Sequence, residues 1–343
     1  MMKEKRSIGK QSIALTNMVY IKQSASVAGK KEGEGPLGEL FDVTAENDLF
    51  GCNTWEEAES TMQKEAITLA LGKASMSSGD ISHIFAGDLL GQCTASTFGN
   101  AETGIPFLGV YGACSTCGLG LGLASVLVSA GFSENVISVT SSHFAGAEKE
   151  FRYPLEYGNQ RPPCSTWTVT GAAAFVVTGK VNKRNRAEIT GVTFGKIVDY
   201  GMKDSMNMGC CMAPAAADLI YQHLLDFERV PGDYDRIITG DLGLVGQRAL
   251  LDLLKKKGVD IEKQHMDCGI EIFHTSQGTE SGGSGCGCSA VTLSAYILKM
   301  LEEKKWKRVL FVPTGALLSK TSFNEGQNVP GIAHGVVIEG ITE

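Results

Sequence analysis

The feature that most limits the possible folds is an internal repeat. Residues 78–89 read SGDISHIFAGDL and residues 231–242 read PGDYDRIITGDL, identical at six of twelve positions without a gap. Each follows a stretch with apolar residues at helical spacing, AESTMQKEAITLALGKA in the first copy and PAAADLIYQHLLDFERV in the second. Further on, GACSTCGLGLGLASVLVSAGFSENVISVTSSH is paralleled by GSGCGCSAVTLSAYILKMLEEKKWKRVLFVPTGA. Both read as a small Cys-bearing turn, an apolar helix, a polar break and a β-rich strand. GAAAFVVTG, residues 171–179, is echoed by AHGVVIEG, residues 333–340. Matches in the same order predict a duplicated chain, and a repeat of ~150 residues is a pair of domains rather than a solenoid. The basic segment KVNKRNRAE marks the join between an N-terminal half, 1–180, and a C-terminal half, 181–343.

Strands alternating with helices predict α/β architecture, with a mainly parallel sheet covered on both faces. The helix that starts at each Cys turn is too apolar for a surface helix and belongs between two sheets. The expected result is five layers, α-β-α-β-α.

Composition narrows the function. A net charge of −7, with 20% charged residues and no basic stripe, argues against a nucleic-acid surface. Residues 103–133 carry no charge, yet Pro106 and several glycines interrupt them, so a buried core helix is expected rather than a membrane span. The N-terminus has no apolar region of the kind a secretory signal needs. Ten cysteines without an export signal point to a reducing compartment and free thiols. The CSTC and CGC spacings raise a metal reading, but both lie where glycine-rich helices begin and small residues are needed for packing, so no metal and no cofactor are expected.

With these residues in place, the chain resembles the thiolase superfamily, whose duplicated halves carry a nucleophilic Cys at the start of the first half's buried helix. Cys114 occupies that position. GPLGELFD, AGDLL, GACST, TSSH, FRYPLEYG, APAAAD, GGSGC, GALLS and IAHGVV, in that order, resemble more narrowly the stage V sporulation AD family. That resemblance implies non-catalytic binding of dipicolinic acid (pyridine-2,6-dicarboxylate), with or without calcium, as part of its transport into the developing spore. It also implies a homodimer of cytoplasmic origin, held peripherally at the spore inner membrane by other stage V sporulation membrane proteins. The alternative is an acyltransferase or condensing enzyme acting on a coenzyme A thioester.

The superfamily's second-half machinery is missing here. Condensing enzymes carry a His just after the strand that here reads RIITG, where this chain has Asp241, and the thiolase Gly-His-Pro turn corresponds to ESGGSGCGCS. This departure weighs against catalysis, because acyl transfer by a Cys needs a base and an oxyanion hole.

Cys114 at a helix N-terminus faces unpaired N–H groups and the positive end of the dipole, which predicts a lowered thiol pKa and a place for a ligand carboxylate. Its alternative role is a small residue in a crowded turn. Ser142 and His143 end the strand VISVTSSH, on the edge where α/β sheets place their sites, though a structural His fits equally well. Ser284 in GGSGC and His334 in IAHGVV complete the expected lining. Arg152, in a loop rich in aromatics and Arg, is either a carboxylate partner or, with Tyr153, a stitch between loop and core; Arg161 is in the same position. Asp88 and Asp241 are equivalent in the two copies and are either acid/base candidates or caps for the helices that follow.

Overall fold

A computed structural model describes residues 7–152 and 160–341. The first half is built from β1 (Tyr20–Ala28), α1 (Trp55–Ala74), β2 (His83–Gly87), α2 (Thr94–Asn100), β3 (Phe107–Gly109), α3 (Thr116–Ser129), β4 (Asn135–Ser142), α4 (Phe144–Phe151) and β5 (Gly171–Thr178). The second is built from β6 (Ala187–Phe194), α5 (Met208–Asp226), β7 (Arg236–Thr239), α6 (Gly243–Lys256), β8 (His265–Asp267), α7 (Cys286–Thr292), β9 (Arg308–Val312), α8 (Lys320–Asn324) and β10 (Gly331–Glu339). Tyr153 lies outside the described residues.

The strand order is β3-β2-β4-β5-β1 in one set and β8-β7-β9-β10-β6 in the other, the same order twice. The sets touch where Ala187 pairs with Ile21 and Glu188 with Tyr20. Each set is mixed rather than mainly parallel. β2 runs parallel to β3 and β4, whereas β5 is antiparallel to β4 and β1. The second set repeats this, with β10 antiparallel to β9 and β6. The reason lies in the last connection of each half. A parallel neighbour needs a crossover helix packed on the sheet, but α4 packs on α1 and on the short strand Trp167–Thr168, and α8 packs on α4.

Five layers result. α1 covers β1, β5 and β4 from outside, while α5 covers β10 and is itself backed by α6. α3 lies between the sheets, against β4 on one side and β10 on the other, with α7 beside it against β5 and β4. The buried side chains separate accordingly into an inner cluster around Leu121, Phe175 and Val336, and two outer ones around Met62 and Ile137 and around Leu219 and Leu250. Both faces of β4 are therefore buried: Val136 faces the inner cluster, Ile137 and Val139 the outer. That explains why every residue of NVISVTSS is buried, its Asn, Ser and Thr side chains included.

The GLGLG run of α3 is a consequence of this squeeze. A Cβ on Gly118 would come 2.5 Å from the carbonyl oxygen of His334 in β10, and one on Gly120 would come 2.6 Å from Ser138 Oγ in β4. Glycine lets one helix approach both sheets; a methyl at either position costs about 1–3 kcal/mol of overpacking.

Candidate functional site

The turn that carries Cys114 is fixed by its own side chains. The Gly112 N–H donates to Thr116 Oγ1 at 3.0 Å, Ser115 Oγ–H donates to the Gly112 carbonyl at 2.6 Å, and Thr116 Oγ–H to the Ala113 carbonyl at 2.6 Å. Ala113 is held at a φ of 49°, a left-handed conformation that a non-glycine residue keeps only where its surroundings demand it. Cys114 follows, 7% exposed, at one wall of a cavity of about 270 Å³. Its other walls are the turn 89–93, Tyr111, Phe151, Thr168, Ser284 with Gly285, and the segment before α8. Glu150 and Lys320 face each other at this cavity, Nζ to Oε2 3.6 Å, each partly exposed.

The Cys114 thiol faces the carboxyl of Asp241. Asp241 is 1% exposed; it accepts from the Gly285 N–H at 3.0 Å and from Thr314 Oγ–H at 2.6 Å. Burial pushes its pKa up to about 7. Burial, and then the charge of Asp241, hold the Cys114 thiol well above its ordinary value. This reverses the expected lowering. A helix N-terminus is worth about 0.3–1 kcal/mol, less than one pKa unit, and loses to desolvation beside a carboxylate. Cys114 is a neutral thiol.

Of the eight candidate residues, Cys114 and Ser284 line this cavity. Asp241 stands behind Cys114. Asp88 stands behind the opposite wall: its Oδ1 accepts from the Leu90 N–H at 2.8 Å, and its Oδ2 from Ser96 N–H at 2.8 Å and Ser96 Oγ–H at 2.6 Å. It pins the turn 89–93 to α2, a turn in which Gln92 and Cys93 have φ of 56° and 53°. The two repeated carboxylates thus hold different walls of one cavity. His334 lies against the Cys turn, its Cδ2 3.7 Å from where a Gly112 Cβ would be, with its ring edge-on to Phe194. Burial pushes its pKa down to about 4, and its Nδ1 has no hydrogen-bond partner.

Three candidates are not at this cavity. Ser142 joins β4 to the head of α7, donating to the Val169 carbonyl at 2.7 Å and accepting from the Gly287 N–H at 3.0 Å. His143 caps α4, its Nδ1 accepting from the Gly146 N–H, while Nε2 meets the Asp48 carbonyl at 2.7 Å. It lines a separate cleft of about 640 Å³ with Lys31, Arg161 and Trp167. Arg152 is 2% exposed, paired with Glu148 and donating to the Thr166 carbonyl at 2.8 Å. Arg161 reaches the same carboxylate and the same carbonyl. Among the described residues no three His, Cys, Asp or Glu side chains form a group able to hold a metal ion.

Five layers with a cysteine at the head of the first buried helix define a thiolase-like fold. The fold is shared with human mitochondrial 3-ketoacyl-CoA thiolase solved in complex with CoA, at a TM-score of 0.61 and 14% identity over 96% of this chain and 99% of that one. It is shared also with 3-oxoacyl-[acyl-carrier-protein] synthase III from Aquifex aeolicus VF5, at 0.55 and 14% over 94% and 99%. Within that class, the chain belongs to the Stage V sporulation protein AD (SpoVAD) family, whose family model matches residues 9–339. Stage V sporulation protein AD of Bacillus subtilis (strain 168) is 44% identical over 333 residues, covering 96% of this chain and 97% of its own.

Proposed function

We propose that this chain binds dipicolinic acid in the Cys114 cavity without turning it over, and serves its transport into the developing spore. The observation that supports this reading is the Cys114–Asp241 pair. A neutral thiol does not repel an anion, and the carboxyl that faces it stands behind the wall rather than in the lining. Apolar surface from Leu89, Leu90 and Leu318 offers a slot for a flat ring, with the Ser284 hydroxyl at its side. The ligand enters alone or as its calcium complex. No described helix is long and apolar enough to cross a membrane, so attachment at the spore inner membrane falls to other stage V sporulation proteins.

The same pair favours a second reading, acyl transfer from a coenzyme A thioester with Asp241 as base. The direction of the shifts weighs against it: burial and the charge of Asp241 hold the thiol well above its ordinary value, so passing its proton to Asp241 is uphill. Calorimetry with dipicolinate and an assay with acetoacetyl-CoA separate the readings. Binding that weakens about tenfold or more in Ser284→Ala and Cys114→Ala, with no thiolysis, is the expected result. Thiolysis that vanishes in Cys114→Ala overturns it.

A further inference from the structure

We infer that the Tyr111 hydroxyl is a ligand-recognising donor of the Cys114 cavity, and that together with Ser284 it selects ligands carrying two carboxylates. The inference deepens the proposed function and rests on it. Four side-chain hydroxyls stand on the described walls of this cavity, those of Tyr111, Thr168, Ser284 and Ser319. Two are committed to the protein: Thr168 Oγ–H donates to Glu148 at 3.0 Å, and Ser319 Oγ–H to Ser322 Oγ at 3.3 Å. The hydroxyls of Tyr111 and Ser284 have no hydrogen-bond partner among the described residues. Ser284 is 3% exposed, so its hydroxyl opens only to the cavity, where water or a ligand must satisfy it.

Tyr111 is 49% exposed as a residue, yet burial raises the pKa of its phenol, ahead of the charges of Cys114, Cys286 and Cys93. The hydroxyl is therefore the enclosed end, and the rest of the residue meets solvent. Its place in the chain is rigid, because the Gly112 N–H that follows is tied to Thr116 Oγ1 and Ala113 is held at a φ of 49°. An un-ionised phenol donates to a carboxylate without adding negative charge beside it. Other donors around the cavity are taken, the Gly285 N–H by Asp241 and the Thr168 N–H by Glu148. The two carboxylates of dipicolinate flank its ring, so one goes to Tyr111 and the other to Ser284 while the ring fills the apolar slot. A ligand with one carboxylate satisfies one hydroxyl and leaves the other without its acceptor.

The test is calorimetric titration of the full chain with dipicolinate and with pyridine-2-carboxylate, which carries a single carboxylate, for wild type, Tyr111→Phe, Ser284→Ala and the double variant. Tyr111→Phe keeps the ring and removes only the hydroxyl. It is expected to weaken dipicolinate binding about tenfold to a hundredfold. The single-carboxylate ligand can turn its ring toward whichever hydroxyl remains, so each single variant should cost it no more than about twofold to threefold, and the double variant about tenfold or more. That contrast is the signature, since a merely structural tyrosine would weaken both ligands alike. Wild-type affinity of Tyr111→Phe for dipicolinate, or equal losses for the two ligands, overturns this inference alone. A wild-type chain that binds no dipicolinate overturns it together with the proposed function.

Discussion

Cys114 and Asp241 face each other, and both are buried. One belongs to the first half's Cys turn and the other to the second half's Gly-Asp-Leu repeat, so the contact ties the two copies together at the cavity. In a condensing enzyme the second position would hold a His able to take a proton. Here it holds a carboxyl that shares burial with the thiol: burial raises the carboxyl, and its charge in turn keeps the thiol from ionising.

Stability should fall as pH rises through the range where Asp241 ionises. Its carboxyl titrates near 7 when folded and near 4 when unfolded, so between those values the folded state holds the extra proton. The contribution is full below about pH 4 and lost as pH approaches 7, a few kcal/mol in all. Glu59, pushed up to about 8, and Glu32, to about 7, act in the same direction. Urea midpoints of wild type and Asp241→Asn at pH 5 and pH 8 check this: the variant should show the smaller drop, and equal drops contradict the assignment.

Cys114 should alkylate slowly. A buried neutral thiol presents little thiolate at pH 7.5. Mass-spectrometric labelling with iodoacetamide should modify the partly exposed Cys52 before Cys114, and Asp241→Asn should speed Cys114 by removing the opposing charge. Cys114 reacting first would mean that the helix dipole wins after all.

The chain should pair with itself along β3. That strand is the edge of its sheet, and Phe98, Phe107 and Leu108 beside or on it are exposed. An edge with apolar side chains is a template for a second strand, and a two-fold pairing satisfies it. Light scattering should give twice 36.5 kDa for wild type and a shift toward one chain for Leu108→Lys. A wild-type mass of one chain at micromolar concentration contradicts it.

His143→Ala should lower stability rather than affinity. The variant loses the cap of α4 and the bond to the Asp48 carbonyl, worth about 1–2 kcal/mol together. Dipicolinate binding by that variant should stay within about twofold of wild type, and a larger loss would move the ligand into the cleft that His143 lines.

That last prediction marks where the sequence stopped being legible. The repeat announced two equal strand orders, and GLGLG announced a helix pressed between sheets. The strand end TSSH placed Ser142 and His143 near the site as a pair, but neighbouring residues on a strand point to opposite faces. One therefore meets α7 and the other α4. The walls at 89–93 and before α8 come from turns without periodicity, so nothing in the residues marked them. Glu59 reads as a solvated helix residue, yet α2 covers that face of α1. Glu59 is fully buried, accepting from Ser141 Oγ–H at 2.7 Å, and Gln63 carries the hydrogen-bond chain on to Ser96 and Asp88.

The most direct test of the account is a crystal structure of the chain grown with saturating dipicolinate. The account predicts a planar ring in the Cys114 cavity, between the turn 89–93 and Leu318, with one carboxylate beside Ser284, no bond to the sulfur, and Asp241 still accepting from Gly285 N–H and Thr314 Oγ–H behind Cys114. Dipicolinate seated in the His143 cleft, or a Cys114 cavity that stays empty at saturation, would contradict it.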